Sequence, residues 1–164
     1  MGNNQTEFPQ IKTSDKIKIF FSKPYFFDND IISGKIDFQF QTNFFYIILK
    51  RIEYCLLYDE KSLFENQDET IIFKNEFKSN DNNNNNSIEF KIQVSDLEPS
   101  FEYFKTYKNI NNIQKIVFMK YVVQINCINE NIIHEDFIFI KKNANTNKNI
   151  KIKYNVYIYF FLFI

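Results

Sequence analysis

Apolar and polar side chains alternate along much of this 164-residue chain, and this alternation constrains the fold more than any other feature of the sequence. In residues 31–41, Ile36 and Phe38 point to one side of an extended backbone, while Lys35 and Asp37 point to the other. A period of two is typical of a half-buried β-strand. Alternating segments and long aromatic or Ile-rich runs predict strands at 16–21, 31–41, 44–58, 69–79, 88–95, 115–128 and 136–142.

The composition favours the same structural class. The chain has 26 Ile, 21 Phe and 10 Tyr but only 6 Leu and one Ala, and the first three residue types favour strands whereas the last two favour helices. A genome rich in A/T codons would also enrich Ile, Phe, Tyr, Lys and Asn, of which the chain has 23, without any selection for function. The composition therefore bears on fold class more than on function. Only Gly2 and Gly34 are glycines, so turns with positive φ are expected at Asn or Asp.

About seven strands and no helix predict a single all-β domain, an antiparallel immunoglobulin-like β-sandwich. Residues 101–113 lack a clear period and are predicted to be mainly loop, with room for a short strand. We expect a flexible N-terminal arm at 1–14, the sandwich at 15–142, and a basic and then apolar tail at 143–164. The asparagine-rich run Asn82 to Asn86 is interpreted as a hairpin loop.

Net charge and targeting signals limit the partners and the location. The 20 acidic residues balance the 20 basic ones, which argues against nucleic acid as a partner, because nucleic-acid-binding proteins usually have a basic excess. The N-terminus lacks the apolar core of a secretory signal, so we expect a cytoplasmic protein.

Residues that could carry catalysis are few. His134 is the one histidine, and Cys55 and Cys127 are expected to be reduced thiols in the core. Neither cysteine has a second ligand at the spacing of a zinc site, and no triad pattern is evident. Two glycines cannot form a phosphate-binding loop, and the turn at 28–30 lacks the pattern of a calcium loop. We expect no enzymatic activity, no cofactor and no metal.

Both ends of the chain carry features of membrane contact. The first six residues fit the pattern for myristoylation of Gly2, although a polar arm that happens to match is the alternative. Residues 154–164 form an uncharged run of 11 residues, too short for a spanning helix. They are otherwise explained as a final strand on the sheet, an unpaired tail or the end of a truncated gene model. Basic residues beside an apolar run suit an anionic membrane surface, which makes candidate membrane contacts of Lys141, Lys142, Lys148, Lys151 and Lys153.

The order of several motifs resembles the N-terminal domain of the arrestin family. Residues 16–36 contain a first strand, an aromatic segment, a turn and then Ser-Gly before an alternating strand, as in that family. Residues 48–54, 88–92 and 119–125 are similar to later strands, and 97–101 to a Leu-Pro-Pro-Ser-Phe-like segment. Unlike the family pattern, the turn has Asp28-Asn29 in place of Pro-Gly, and the chain holds one lobe instead of two. The matching positions with a structural role are Pro24, Gly34, Pro99, Ser100, Phe101 and Tyr121.

The resemblance implies a non-catalytic adaptor in signalling, endocytosis and protein transport. Its partners would be cytoplasmic segments of membrane proteins or other trafficking proteins. Residues 104–109 are similar to the retromer arrestin-like subunit, so that branch stays open. One alternative is a peripheral protein of the endosomal or plasma membrane, anchored by myristoylated Gly2 and the C-terminal tail. The other is a degenerate single-lobe copy without a retained partner.

Overall fold

The computed structural model describes residues 12–58, 63–78, 86–107 and 113–143. Within these ranges the chain forms ten strands and no helix. In chain order the strands are β1 (Ile17–Phe21), β2 (Phe26–Phe27), β3 (Ile32–Phe38), β4 (Phe44–Tyr58), β5 (Leu63–Lys78), β6 (Ser87–Ile92), β7 (Phe101–Tyr107), β8 (Ile113–Cys127), β9 (Ile132–Ile138) and β10 (Ile140–Lys141).

The longer strands form two antiparallel sheets. Sheet A has the order β1-β3-β6, and sheet B has the order β5-β4-β8-β7, with β9 also paired to β8. Strand β9 pairs with the C-terminal half of β8 and β7 with its N-terminal half. Because β4 occupies the other edge of β8 along almost its whole length, β9 and β7 follow one another along the same edge.

A short parallel pair, which the sequence did not predict, joins the two sheets at one side. Strand β10 pairs with β2, with Ile140 opposite Phe26. The amide of Phe26 donates to the oxygen of Phe139 over 2.9 Å, and the amide of Asp28 donates to the oxygen of Lys141 over 3.1 Å. Phe26 and Ile140 are both buried in the main core, so this pair closes the open side of the sandwich.

The main core lies between sheets A and B. Ile17, Ile36 and Phe90 from sheet A belong to the same buried cluster as Leu49 and Val123 from sheet B. Two facing sheets that share one apolar core form a β-sandwich. The predicted all-β, antiparallel sandwich is therefore confirmed, with eight longer strands among the described residues where the sequence suggested about seven.

Strands β4 and β8 are 15 residues each and extend well beyond sheet A. We call the face of sheet B that carries Leu49 and Val123 the inner face, and the opposite one the outer face. The extended part of sheet B buries a second group of side chains on the outer face, which we call the outer cluster: Ile52, Tyr54, Leu56, Ile116, Phe118 and Val122. Strand β8 therefore buries residues on both faces.

The strand predicted at 136–142 is divided between β9, which begins at Ile132, and β10. Two other segments differ more from the sequence-based expectation. The strand predicted at 69–79 begins earlier, at Leu63, because β5 pairs with β4 along the whole length of the latter. Residues 101–113, predicted to be mainly loop, contain β7, whose backbone pairs with β8 from Phe101 to Tyr107. In both places the hydrogen bonds to a long neighbouring strand, rather than side-chain alternation, determine the structure.

Gly34 and two turn residues follow the expectations drawn from the sequence. A Cβ atom on Gly34 would collide with the backbone oxygen of Phe20 and lie 2.9 Å from Cε1 of Phe90. Only glycine therefore fits between β1 and the ring of Phe90. Positive φ angles occur at Asp96 (59°) and Asn131 (53°), the residue types that tolerate the left-handed region best after glycine.

Candidate protein-interaction surface

The segment at 97–101 crosses from sheet A to the start of β7 and is held at several points. The amide of Ser100 donates to the oxygen of Ile140 over 2.8 Å, and the amide of Ile140 donates to Oγ of Ser100 over 3.0 Å. The hydroxyl of Tyr121 donates to the backbone oxygen of Glu98 over 3.0 Å. Tyr121 is 1% exposed, and this burial raises the pKa of its hydroxyl to about 12. Four of the six family-motif residues, Pro99, Ser100, Phe101 and Tyr121, thus lie at one junction.

Arg51 connects this junction to β4. Its Nη1 atom lies 3.2 Å from Oε2 of Glu98, and its Nε atom lies 2.8 Å from Oε1 of Glu53. Arg51 pairs across the sheet with Tyr121, which places the ion pairs on the inner face where the cover of sheet A ends. The Nη1 atom donates a hydrogen bond to Glu98, so Arg51 links the segment at 97–101 to β4.

Beyond Arg51 several apolar side chains on the inner face of sheet B are exposed, although Met119 on the same face is buried. Leu57 is 44% exposed and its cross-strand partner Phe64 is 57% exposed. Phe101 and Tyr103, on β7, are 42% and 44% exposed. The register places these residues on the same face as Cys55 and Val117. We call this group the overhang: Cys55, Leu57, Phe64, Phe101, Tyr103 and Val117.

An exposed group of this composition is unusual for a face that meets only water. Single exposed apolar residues are normal, but contiguous ones, especially aromatic ones rimmed by charges, mark sites of protein interaction. The rim of the overhang includes Arg51, Glu53 and Asp68. The overhang is therefore a candidate surface for contact with another protein.

The lysines predicted to contact membranes are only partly within the described residues. The Nζ atom of Lys141 lies 3.5 Å from the centre of the Tyr25 ring, which is a cation–π geometry. Lys142 is exposed. Pro24 lines a cavity together with Lys23 and Phe26. The remaining predicted contacts, Lys148, Lys151, Lys153 and Gly2, lie outside the described residues. In the described part of the chain, no helix has both the length and the hydropathy needed to cross a bilayer.

The residues that the sequence offered as candidates for catalysis or metal binding lie in separate parts of the described structure. Cys127 is buried in the main core, and burial raises the pKa of its thiol to about 12. Cys55 is half-buried on the overhang. Asp30 accepts hydrogen bonds from Lys23 and the amide of Phe27, and these, the Lys23 bond foremost, lower the pKa of its carboxyl. Among the residues that the structure describes, no three His, Cys, Asp or Glu side chains are grouped to hold a metal ion.

His134 takes part in a contact that sequence reasoning missed. Its Nδ1 atom accepts a hydrogen bond from the amide of Ser14 over 3.0 Å, and its Nε2 atom lies 3.2 Å from Oδ2 of Asp136. The backbone amide of Lys12 donates to Oε2 of Glu135 over 2.8 Å. The amide of Glu135 donates to the backbone oxygen of Lys12 over 2.7 Å. Residues 12–14, which the sequence placed in the flexible arm, are therefore hydrogen-bonded along the edge of β9.

The comparisons with known proteins add little to the geometry. No protein-family model matches the chain, and no curated protein matches it. A solved structure that matches is the sporulation control protein Spo0M from Bacillus subtilis, with 13% sequence identity and a TM-score of 0.42. The alignment covers 78% of this chain and 49% of the Spo0M chain, so this chain spans about half the length of that one. At this level of similarity we draw no functional conclusion from the match.

Proposed function

We propose that this chain is a non-catalytic, arrestin-like adaptor whose overhang binds cytoplasmic segments of membrane proteins during sorting or endocytosis. The observation that supports the proposal is the exposure of Leu57, Phe64, Phe101 and Tyr103 on one face. The order of motifs that resembles arrestins supplies the class of partner.

The geometry of the overhang suits a binding platform. One backbone-paired strand on each side of the β4–β8 pair, β5 and β7, makes the platform stiff, so little conformational entropy is lost when a partner binds. Aromatic side chains are enriched at the centres of protein interfaces, and Phe64, Phe101 and Tyr103 present three of them. Charges at Arg51 and Glu53 would select the partner's orientation more than its affinity.

Proximity labelling in the native host tests this proposal. We expect labelled membrane or trafficking proteins with the unmodified chain, and loss of most of them with the double variant Leu57→Asp, Phe64→Asp. Ile128→Asp is the matched control, because Ile128 is 52% exposed on the turn between β8 and β9, away from the overhang. Equal labelling by all three proteins, with the variants folded, would contradict the role of the overhang.

A second candidate function is peripheral membrane binding, favoured by one observation. Lys141 stacks on Tyr25, and Phe139 beside it is 51% exposed, which forms a basic and aromatic surface. Cell fractionation of the full chain, of Gly2→Ala and of a chain ending at Lys142 tests this candidate. It predicts a lower membrane-bound fraction for both changes, and unchanged fractions would exclude the anchor.

A further inference from the structure

Strand β5 forms one edge of sheet B, and only one of its own two edges is paired. Strand β4 pairs with it from Leu63 to Lys78, and no strand in the described part of the chain pairs with its other edge. At 16 residues β5 is longer than most strands in globular proteins, and 13 of its side chains are exposed. A long edge strand with unpaired amide and carbonyl groups can pair with a strand of another chain.

The charges of β5 are distributed unevenly between its two halves. In chain order the charged residues are Glu65, Asp68, Glu69, Lys74, Glu76 and Lys78. In an antiparallel pair of identical strands related by a two-fold axis, the acidic first half of each strand faces the second half of the other, which holds both lysines. We propose that two copies of this chain form a dimer through antiparallel pairing of their β5 strands, which joins sheet B of both copies into one sheet. The inference goes beyond the proposed adaptor function and does not depend on it.

A β-bulge in the middle of β5 determines which side chains of the two copies share a face. Ile71 is opposite Lys50 and Phe73 is opposite Leu49, so Ile72 is the extra residue. Before the bulge the odd-numbered side chains lie on the outer face, and after it the even-numbered ones do. Opposite residues of an antiparallel pair lie on the same face. A bulge often protects an edge strand from pairing, but here it brings acids of the first half and the lysines of the second half onto one face.

One register of this pairing brings opposite charges together, and its two-fold axis passes between Ile71 and Ile72. The charged residues and their opposite partners in the second copy are then Glu65 and Lys78, Glu69 and Lys74, Glu76 and Gln67, and Asp68 and Asn75. Because the axis repeats each pair, the dimer has four pairs of opposite charge and no like charges directly opposed. Shifting the register by two residues in either direction would place Glu76 opposite Glu65 or Glu69, and such like-charge pairs are destabilising.

The charges that would form these pairs are accessible on the surface of a single copy. The side chain of Lys78 is 74% exposed and that of Glu69 is 44% exposed, and Lys74 is exposed as well. Within one copy the ammonium of Lys78 lies 2.9 Å from Oε1 of Glu76, and that of Lys50 lies 3.3 Å from Oε2 of Glu69. A carboxylate accepts about four hydrogen bonds and an ammonium donates three, so these groups can bind a second copy and keep their present partners.

Analytical ultracentrifugation of the full chain tests the dimer and its charge pairs. We expect a reversible dimer of twice 19.9 kDa. Glu69→Lys and Lys74→Glu each turn two pairs of opposite charge into two pairs of like charge, so each variant should raise the dissociation constant of the dimer about tenfold. An equal mixture of the two variants restores opposite charges at both positions and should dimerise as the wild type does.

Lys91→Glu is the matched control, because Lys91 is exposed on β6 in sheet A, and it should leave the dissociation constant unchanged. Circular dichroism verifies that each variant is folded. A chain that sediments as a monomer at every concentration would overturn the proposal, and so would a dimer that neither folded β5 variant weakens.

A short bifunctional thiol crosslinker tests the register independently. Gln67 and Glu76 lie opposite each other in the dimer, whereas within one β5 they are separated by roughly 30 Å. Gln67→Cys combined with Glu76→Cys should therefore give a covalent dimer. Gln67→Cys alone should give no more than the wild type, which shows the background from Cys55, because the two copies of position 67 lie equally far apart across the axis. A covalent dimer of the single variant, or none of the double variant, would overturn the proposed pairing.

Discussion

Replacing Gly34 by alanine tests how closely β1, β3 and β6 approach each other. The new methyl group would collide with the backbone oxygen of Phe20 and lie within 3.0 Å of two carbons of the Phe90 ring. The ring is 2% exposed and cannot swing into solvent, and Phe20 belongs to a strand paired with β3 over five residues. Overpacking of this kind costs about 1–3 kcal/mol, and we expect the upper half of that range because one partner is backbone.

Urea unfolding followed by circular dichroism measures this cost. With a denaturant slope of about 2 kcal/mol per molar, Gly34→Ala should lower the unfolding midpoint by about 1 M. Lys91→Ala is the control, because Lys91 is exposed on β6 next to Phe90 and its replacement should change the stability by less than about 0.5 kcal/mol. If Gly34→Ala unfolds within 0.2 M of the wild type, the close packing described here is wrong.

Three further predictions concern groups with defined partners. Tyr121→Phe removes the hydrogen bond to the oxygen of Glu98 and should lower the free energy of unfolding by about 1 kcal/mol. Tyr103→Phe on the exposed overhang should leave the free energy of unfolding unchanged. Equal effects of the two variants in urea unfolding would contradict the role of Tyr121. At pH 8 a thiol reagent should modify Cys55 at least tenfold faster than buried Cys127, and comparable labelling rates would contradict the burial. Because the pKa of Cys127 is raised to about 12 in the folded chain, its contribution to stability should be lost as the pH rises above the ordinary thiol value near 8.5. His134→Ala removes the acceptor of the Ser14 amide, so amide exchange at Ser14 should quicken about fivefold in this variant. Unchanged protection of the Ser14 amide would contradict the contact with His134.

Much of the sandwich could be predicted because alternation reports which side chains face a core. In β6, Phe90 and Ile92 alternate with exposed Glu89 and Lys91, and the strand lies where the pattern placed it. Strand β7 could not be predicted in this way. Its backbone pairs with β8 while Phe101 and Tyr103 remain exposed, so these two side chains carry no signal of burial.

The candidate site was predictable only in its motif residues. The resemblance to arrestins predicted a structural role for Ser100 and Tyr121, and both form hydrogen bonds that hold the segment at 97–101. The overhang depends on the register between four strands and on where sheet A ends, and neither is visible in one sequence. The contact of Ser14 with His134 joins residues 120 positions apart, so no local pattern could indicate it.

Photocrosslinking from the overhang in the native host tests the central claim most directly. A photoreactive residue in place of Tyr103 probes the exposed inner face of sheet B, and the same residue in place of Ile128 probes an equally accessible turn. We predict that position 103 captures cytoplasmic segments of membrane or trafficking proteins and that position 128 does not. Capture of the same proteins from both positions, or of none from position 103, would contradict the account.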